Sequence, residues 1–343
     1  MSTASKNHLS LTTTRLATLC LVVLLAVGPA TDLLAVELRG ACSRTALAAL
    51  KASLFGAADD FWIALGNSFQ EPDPLAKQEI LRAAQEELSE SIQLAKEQYQ
   101  ARLDLCALLG QAPYDPDIDP ANFIDFEAVI AGEEDFTPNR YFPLVPGTTW
   151  EYLGFDAEGE IVERILVEVL VETKEILGVN CIVIRDRVWE IDEEGEETLI
   201  EDTKDWHPQD LAGNVWYFGE IAQEFEDGDL VSIAGSWQAG SDDAKPGIIM
   251  FADPRPGVAY RQEFLLNEAE DWAKVVSRGK VSISVVFGDF EDDVLVTKDA
   301  TPLVPDTVEF KAYAPGVGLI LEVNPETGER VELVNMTVPP SPE

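Results

Sequence analysis

One histidine lies outside the N-terminal segment, His207, between Trp206 and Pro208 and with Asp205 and Asp210 close by. An imidazole beside carboxylates has the local form of a general base with an orienting acid. The nucleophile of such a hydrolase is missing: no Gly-x-Ser-x-Gly elbow occurs in the chain. Cys181 sits in an alternating apolar run, where a thiol is an inert packing group. His207 is therefore the sole catalytic candidate, and a plain turn histidine is the competing reading. Carboxylate pairs for glycoside hydrolysis can be drawn freely from 63 acidic residues, so no pair is informative.

Metal chemistry has one weak signal. Asp115, Asp117 and Asp119 alternate as the first ligands of a calcium loop do. Pro120 then stands where that loop needs glycine, and Phe126 stands where it needs glutamate. The three aspartates suit a capped, proline-stiffened connector better. The absence of a Cys-x-x-Cys and of a histidine pair argues against a thiolate or imidazole cage. No Gly-x-Gly-x-x-Gly or phosphate loop is present, so no cofactor is expected.

Aromatic residues offer binding chemistry instead. Trp206, Trp216, Tyr217 and Tyr260, with Asp210, Arg261 and Glu263 as polar neighbours, could line the mouth of a small barrel and take an apolar or aromatic ligand. Core filling and strand pinning are the alternative use of the same rings. The stretch 202–220 is the densest of these clusters. Two strand-like runs flank a reversal carrying Pro208, Asp210, Gly213 and Asn214. Strand alternation predicts Trp216 and Phe218 on the inner face and Tyr217 on the other.

The elements that must position these groups follow from periodicity. Residues 1–30 have the grammar of a signal peptide: a polar start with Lys6 and Arg15, a short apolar run from Leu16 to Ala26, then Gly28-Pro29-Ala30. Export to the periplasm, the cell surface or the medium is the expectation. No later run reaches the ~18 apolar residues of a spanning helix, so no membrane span is expected. In 41–110, Ala46, Leu50, Leu54, Ala57, Phe61 and Leu65 recur at helical spacing, as do Ile80, Ala84, Leu88, Ile92, Ala95, Tyr99, Leu103 and Cys106. Asp73-Pro74 between them is an N-cap followed by a first-turn proline. The spacing predicts an antiparallel helical hairpin. Cys42 and Cys106 lie at nearly equal distances from Asp73, on facing stripes, which predicts a disulfide between them.

A Pro/Asp-rich linker spans 111–140. From 141 to 338, alternating runs separated by turn clusters such as Ala157-Glu158-Gly159 and Asp227-Gly228 predict a mainly antiparallel β domain. Runs are expected at Val231–Trp237 and Val258–Leu266 among others. A barrel-like meander is the favoured closure and a two-sheet sandwich the alternative. Residues 339–343 form a tail. The fold class is α+β.

Four motifs carry a resemblance: Tyr141-Phe-Pro-Leu-Val-Pro-Gly-Thr-Thr-Trp150, Asp205-Trp206 with Gln209-Asp210, Gly213-Asn-Val-Trp-Tyr-Phe-Gly-Glu220, and Tyr313-Ala-Pro-Gly-Val-Gly318. They resemble a family of exported bacterial proteins of unknown function, some with a helical part similar to Gln98–Leu103 and Tyr114–Phe123. The resemblance implies export and the β domain. It implies no activity and transfers no functional residue. Relatives in this family often have a tyrosine near the place of His207, and more cysteines in the helices.

The formal charge of −39 disfavours nucleic acid and anionic lipid as partners. A hydrophobic content of 46% is enough to pack a core. The reading is thus an exported acidic binding or structural module with no evident catalysis. A hydrolase using His207 and a cell-surface protein-interaction protein are the alternatives.

Overall fold

The computed structural model describes residues 40–340. The signal peptide expected at 1–30 and the last residues of the tail lie outside the described residues. The chain divides into two compact units, one up to Pro113 and one from Tyr114 onward.

The first unit is a helical hairpin of α1 (Ala41–Ser68) and α2 (Pro74–Leu109). Asp73 caps α2 as its sequence predicts, accepting from the Leu75 amide at 3.1 Å. Ala57, Phe61 and Leu65 of α1 pack on Ala84 and Leu88 of α2. Cys42 and Cys106 form the predicted disulfide, with a Cα–Cα distance of 5.7 Å.

The second unit begins with residues of the 111–140 stretch. Tyr114 donates to the Pro246 carbonyl at 2.8 Å, and a short helix α3 (Phe126–Ala131) starts on Asp125. The strands are β1 (Thr149–Phe155), β2 (Ile161–Ile176), β3 (Val179–Ile191), β4 (Glu197–His207), β5 (Val215–Tyr217), β6 (Gly219–Ile221), β7 (Glu224–Glu226), β8 (Asp229–Ser232), β9 (Trp237–Gln238) and β10 (Lys245–Met250). After them come β11 (Ala259–Arg261), β12 (Glu263–Phe264), β13 (Trp272–Gly279), β14 (Ile283–Val285), β15 (Gly288–Phe290), β16 (Val294–Ala300), β17 (Val308–Ala314), β18 (Gly318–Val323) and β19 (Arg330–Thr337).

Fourteen strands make one antiparallel sheet whose main path runs β11-β13-β16-β17-β18-β19-β1-β2-β3-β4-β6-β9, with β7 and β8 branching from β4. A smaller sheet, β12-β10-β5, carries three strands. The main path has two ends, so the sheet is not a closed barrel; a large sheet with a smaller one beside it fits the layered alternative. It nevertheless curls. Side chains from β1, β3, β5, β13, β16, β17 and β19 meet in one core around Tyr141, Leu144, Val215, Leu295 and Leu333. A second core, of Cys181, Val183, Trp206, Phe218 and Trp237, takes the opposite side chains of β3 and β4.

Two runs read as single strands are broken. In Val231–Trp237 the chain turns through Gly235, at φ +85°, between β8 and β9. In Val258–Leu266 it changes partner: Ala259–Arg261 pairs β13, whereas Glu263 and Phe264 pair β10.

Candidate functional site

His207 ends β4, where it faces a cavity of about 300 Å³ inside the curled sheet. Alternation sets which groups share that space. On β4, Asp205 and His207 point inward while Trp206 enters the second core. On β3, Ile184 and Asp186 line the cavity while Cys181 and Val183 face the other way. Trp150 and Tyr152 come from β1, Val167 from β2, Tyr217 from β5, Asp299 from β16, and Lys311 and Tyr313 from β17. Trp150, Val167, Asp186 and Thr203 form one cross-strand row through β1, β2, β3 and β4.

The ring atoms are fixed by hydrogen bonds to the main chain. Trp150 Nε1 donates to the Val317 carbonyl at 2.7 Å, and the Tyr152 hydroxyl donates to the Leu319 carbonyl at 3.2 Å. His207 Nδ1 lies 2.9 Å from the Trp216 carbonyl, and its ring stacks on Tyr217 at 4.7 Å. A carbonyl only accepts, so Nδ1 carries the proton and Nε2 keeps its lone pair. Burial pushes the imidazole down to about 4, so His207 is neutral near pH 7. The hydrogen bonds of Asp205 and Asp210 go elsewhere. Asp205 accepts from the Tyr217 hydroxyl at 2.7 Å. Asp210 accepts from the Asn214 amide, from Asn214 Nδ2 and from Trp216 Nε1.

The cavity carboxyls are costly to ionise. Burial raises Asp205 to about 7 against the favourable bond from Tyr217. Burial first, and then the charges of Asp205 and Glu201, raise Asp186 well above the usual range. Asp186 Oδ1 is buried with no hydrogen-bond partner. Asp299 is raised by burial despite bonds from Thr297 Oγ1 and from Gln262 Nε2, the latter at 3.0 Å. Lys311 is the cation of the group. Burial disfavours its charge, but Glu322, Asp299 and Glu309 together hold its pKa well above the ordinary value. Its Nζ is 3.3 Å from both Glu309 Oε2 and Glu322 Oε2.

Of the residues singled out by sequence, Asp205, His207 and Tyr217 line this cavity. Trp206 is 6% exposed in the second core, with Lys174 Nζ 3.2 Å from its ring centre. Trp216 packs edge-on against Phe123. The expected alternation holds, with the faces exchanged: Tyr217 lines the cavity, and Trp216 and Phe218 belong to the second core. The β5 segment pairs with β10 and also bonds back to the end of β4, the Trp216 amide donating to the Pro208 carbonyl and the Phe218 amide to the Trp206 carbonyl. Tyr260 is a core ring against Phe251 at 4.7 Å. Arg261 lies over the rings of Tyr114 and Phe264. Glu263 is buried, and burial first, then Asp271 and Glu220, raise its pKa well above the ordinary value. Asp210 binds its own loop.

The three connector aspartates diverge. Asp115 pairs with Lys245, Asp119 caps the turn Pro120–Asn122, and Asp117 is exposed. No group of three metal-ligating side chains is arranged for a metal ion among the described residues. No described helix is long and apolar enough to cross a membrane.

Sequence reading missed Trp150, Tyr152, Asp186, Asp299, Lys311 and Tyr313 as site residues. A signal existed for Asp186, which interrupts the apolar face Ile182, Ile184, Val188 of β3.

No family model and no curated protein matches the chain. Two solved structures align with it in part. One is a Bacteroides fragilis protein with a YmcC-like fold, described as exported, at 13% identity and a TM-score of 0.33, covering 58% of this chain and 100% of that one. The other is a Parabacteroides distasonis protein, described as a lipoprotein, at 12% identity and a TM-score of 0.31, covering 59% of this chain and 100% of that one.

Proposed function

We propose that the protein is an exported binding module and that the cavity of the curled sheet is its ligand site. The observation that carries this reading is the cavity itself. Its volume of about 300 Å³ is at the lower end of small-molecule sites, roughly 300–1,000 Å³. Aromatic walls with a few convergent polar groups are the usual lining of such sites. Export rests on the leader grammar of residues 1–30, and the Cys42–Cys106 disulfide suits an oxidising compartment.

The hydrolase alternative is weaker. A neutral His207 with a pKa of about 4 is a poor base near pH 7, and a carbonyl rather than a carboxylate orients it.

The test is native mass spectrometry of protein purified from its own host, beside the variant Val167→Phe. Val167 lines the cavity from β2, and a phenyl ring there fills it. The expected result is a retained small molecule in the wild type and none in the variant, with both proteins folded by circular dichroism. Equal retention in both, or a wild type that retains nothing and binds no fragment from a millimolar panel, overturns the reading.

A further inference from the structure

We propose that the ligand of the cavity is a small protonated amine with an apolar body, its ammonium beside Asp186 and Asp205 and its body against Trp150 and Tyr152. This ligand class rests on the reading of the cavity as a ligand site.

Two of the three carboxyls on the wall, Asp186 and Asp205, are poorly served by the groups around them. Asp205 is bonded by a neutral phenol, the Tyr217 hydroxyl. Asp299 is bonded by a neutral amide and a neutral hydroxyl, those of Gln262 and Thr297. Asp186 has one oxygen with no partner at all. A buried polar atom left without a partner is costly, and a buried carboxylate more so. The one cation on the wall, Lys311, is in ion pairs with Glu309 and Glu322, and its charge also favours the ionised form of Asp299. Asp186 and Asp205 are therefore served by a neutral donor or none, whereas Asp299 also has the Lys311 charge beside it. A cation entering the cavity would find a deficit that a neutral molecule leaves in place and an anion deepens.

Geometry supports the same class. Trp150, Tyr152, Tyr217 and Tyr313 line the same cavity as the acids, and aromatic faces attract cations. Main-chain hydrogen bonds hold the Trp150 and Tyr152 rings, so this lining is set before a ligand arrives. A primary or secondary ammonium adds N–H donors, which an unpartnered carboxylate oxygen accepts as a charge-assisted bond. The raised acids add a linkage. Burial raises these carboxyls, Asp205 to about 7, and an incoming ammonium favours their ionised form. Binding then releases protons, and affinity rises with pH while the amine remains protonated.

The experiment is calorimetric titration of the full chain with benzylamine, benzyl alcohol and benzoate, which share a ring and differ in charge. At pH 7.5 benzylamine should bind at least about tenfold tighter than the other two, the scale of one charge-assisted hydrogen bond. Its affinity should fall as pH is lowered to 5. Buffers of different ionisation enthalpy should report proton release. Asp186→Asn keeps the side chain's shape and removes the charge. It should lose the preference for benzylamine while leaving benzyl alcohol unchanged, and its thermal melt shows that it folds. Equal affinity for benzylamine and benzyl alcohol overturns the amine class and leaves the cavity a binding site. A preference that survives in Asp186→Asn overturns the role of that carboxylate. If none of the three probes binds while host-purified protein retains a neutral compound, the amine class alone fails. If neither experiment finds a ligand, both readings fail.

Discussion

Replacing Asp205 by asparagine should remove one proton from the pH dependence of folding. In the folded protein Asp205 has a pKa of about 7, because burial outweighs the bond from Tyr217. In the unfolded chain an aspartate titrates near ~4. Between those values the folded state holds a proton that the unfolded state has released, so stability falls as pH rises. The difference corresponds to on the order of 4 kcal/mol, lost between roughly pH 4 and pH 7 and constant above that. Glu220 acts in the same direction, raised to about 8 by burial and by Asp205. His207 acts the other way: its depressed pKa of about 4 makes stability rise with pH up to roughly 6.5. The asparagine variant keeps the His207 contribution and loses the part of the Glu220 shift that the Asp205 charge supplies, and its amide oxygen can still accept from Tyr217. Urea unfolding followed by tryptophan fluorescence, at steps from pH 4.5 to 8.5, reads the missing proton together with the smaller change at Glu220. The variant should gain on the wild type by up to about 1.4 kcal/mol per pH unit as pH rises, then level off above pH 7. A difference that stays constant across the series would refute the burial of that carboxyl.

Three further outcomes are expected. Removing the disulfide with Cys42→Ser and Cys106→Ser frees a segment of 64 residues, worth about 4 kcal/mol in the chain-entropy model. Hydrogen exchange in α1 and α2 should accelerate, and unchanged protection would contradict that share. Asp210→Ala deletes three hydrogen bonds of the loop and should cost about 3 kcal/mol in the urea midpoint, whereas a shift below about 0.5 kcal/mol would mean that solvent replaces them. Raising salt from ~10 mM to ~1 M shortens the Debye length from ~30 to ~3 Å and should raise the melting temperature of a chain at −39. A flat series would mean that the many surface ion pairs already offset the repulsion.

The helical unit was readable from sequence because its determinants are local. The Asp73 cap, the proline after it and the two apolar stripes lie within a few turns of one another, and the disulfide follows from counting outward from the turn. Antiparallel strands were readable for the same reason, through alternation and turn residues. Closure was not, because it depends on which strands end up as neighbours. The exchange of faces at Trp216 and Tyr217 shows this: alternation fixes that the two differ, and where β5 is held between β10 and the end of β4 decides which face meets the cavity. The site itself was mostly hidden. Its residues come from positions between Phe142 and Leu319, and each looks ordinary in its own strand. Asp186 and Lys311 gain meaning only when the fold brings β3 and β17 to line one cavity.

An open sheet leaves edges, and an edge with free N–H and C=O groups can recruit a strand from another chain. Here the terminal strands β9 and β11 span two and three residues, so an incoming strand would find only a few bonds there. The branch strand β8 is longer and exposes Leu230 and Val231, but Glu224, Glu226, Asp227 and Asp229 surround it with like charge. A second copy approaching that edge meets its own carboxylates. The protein should therefore resist strand-to-strand self-association even at high concentration, and acidification, which neutralises those carboxylates, is the condition under which β8 becomes adhesive.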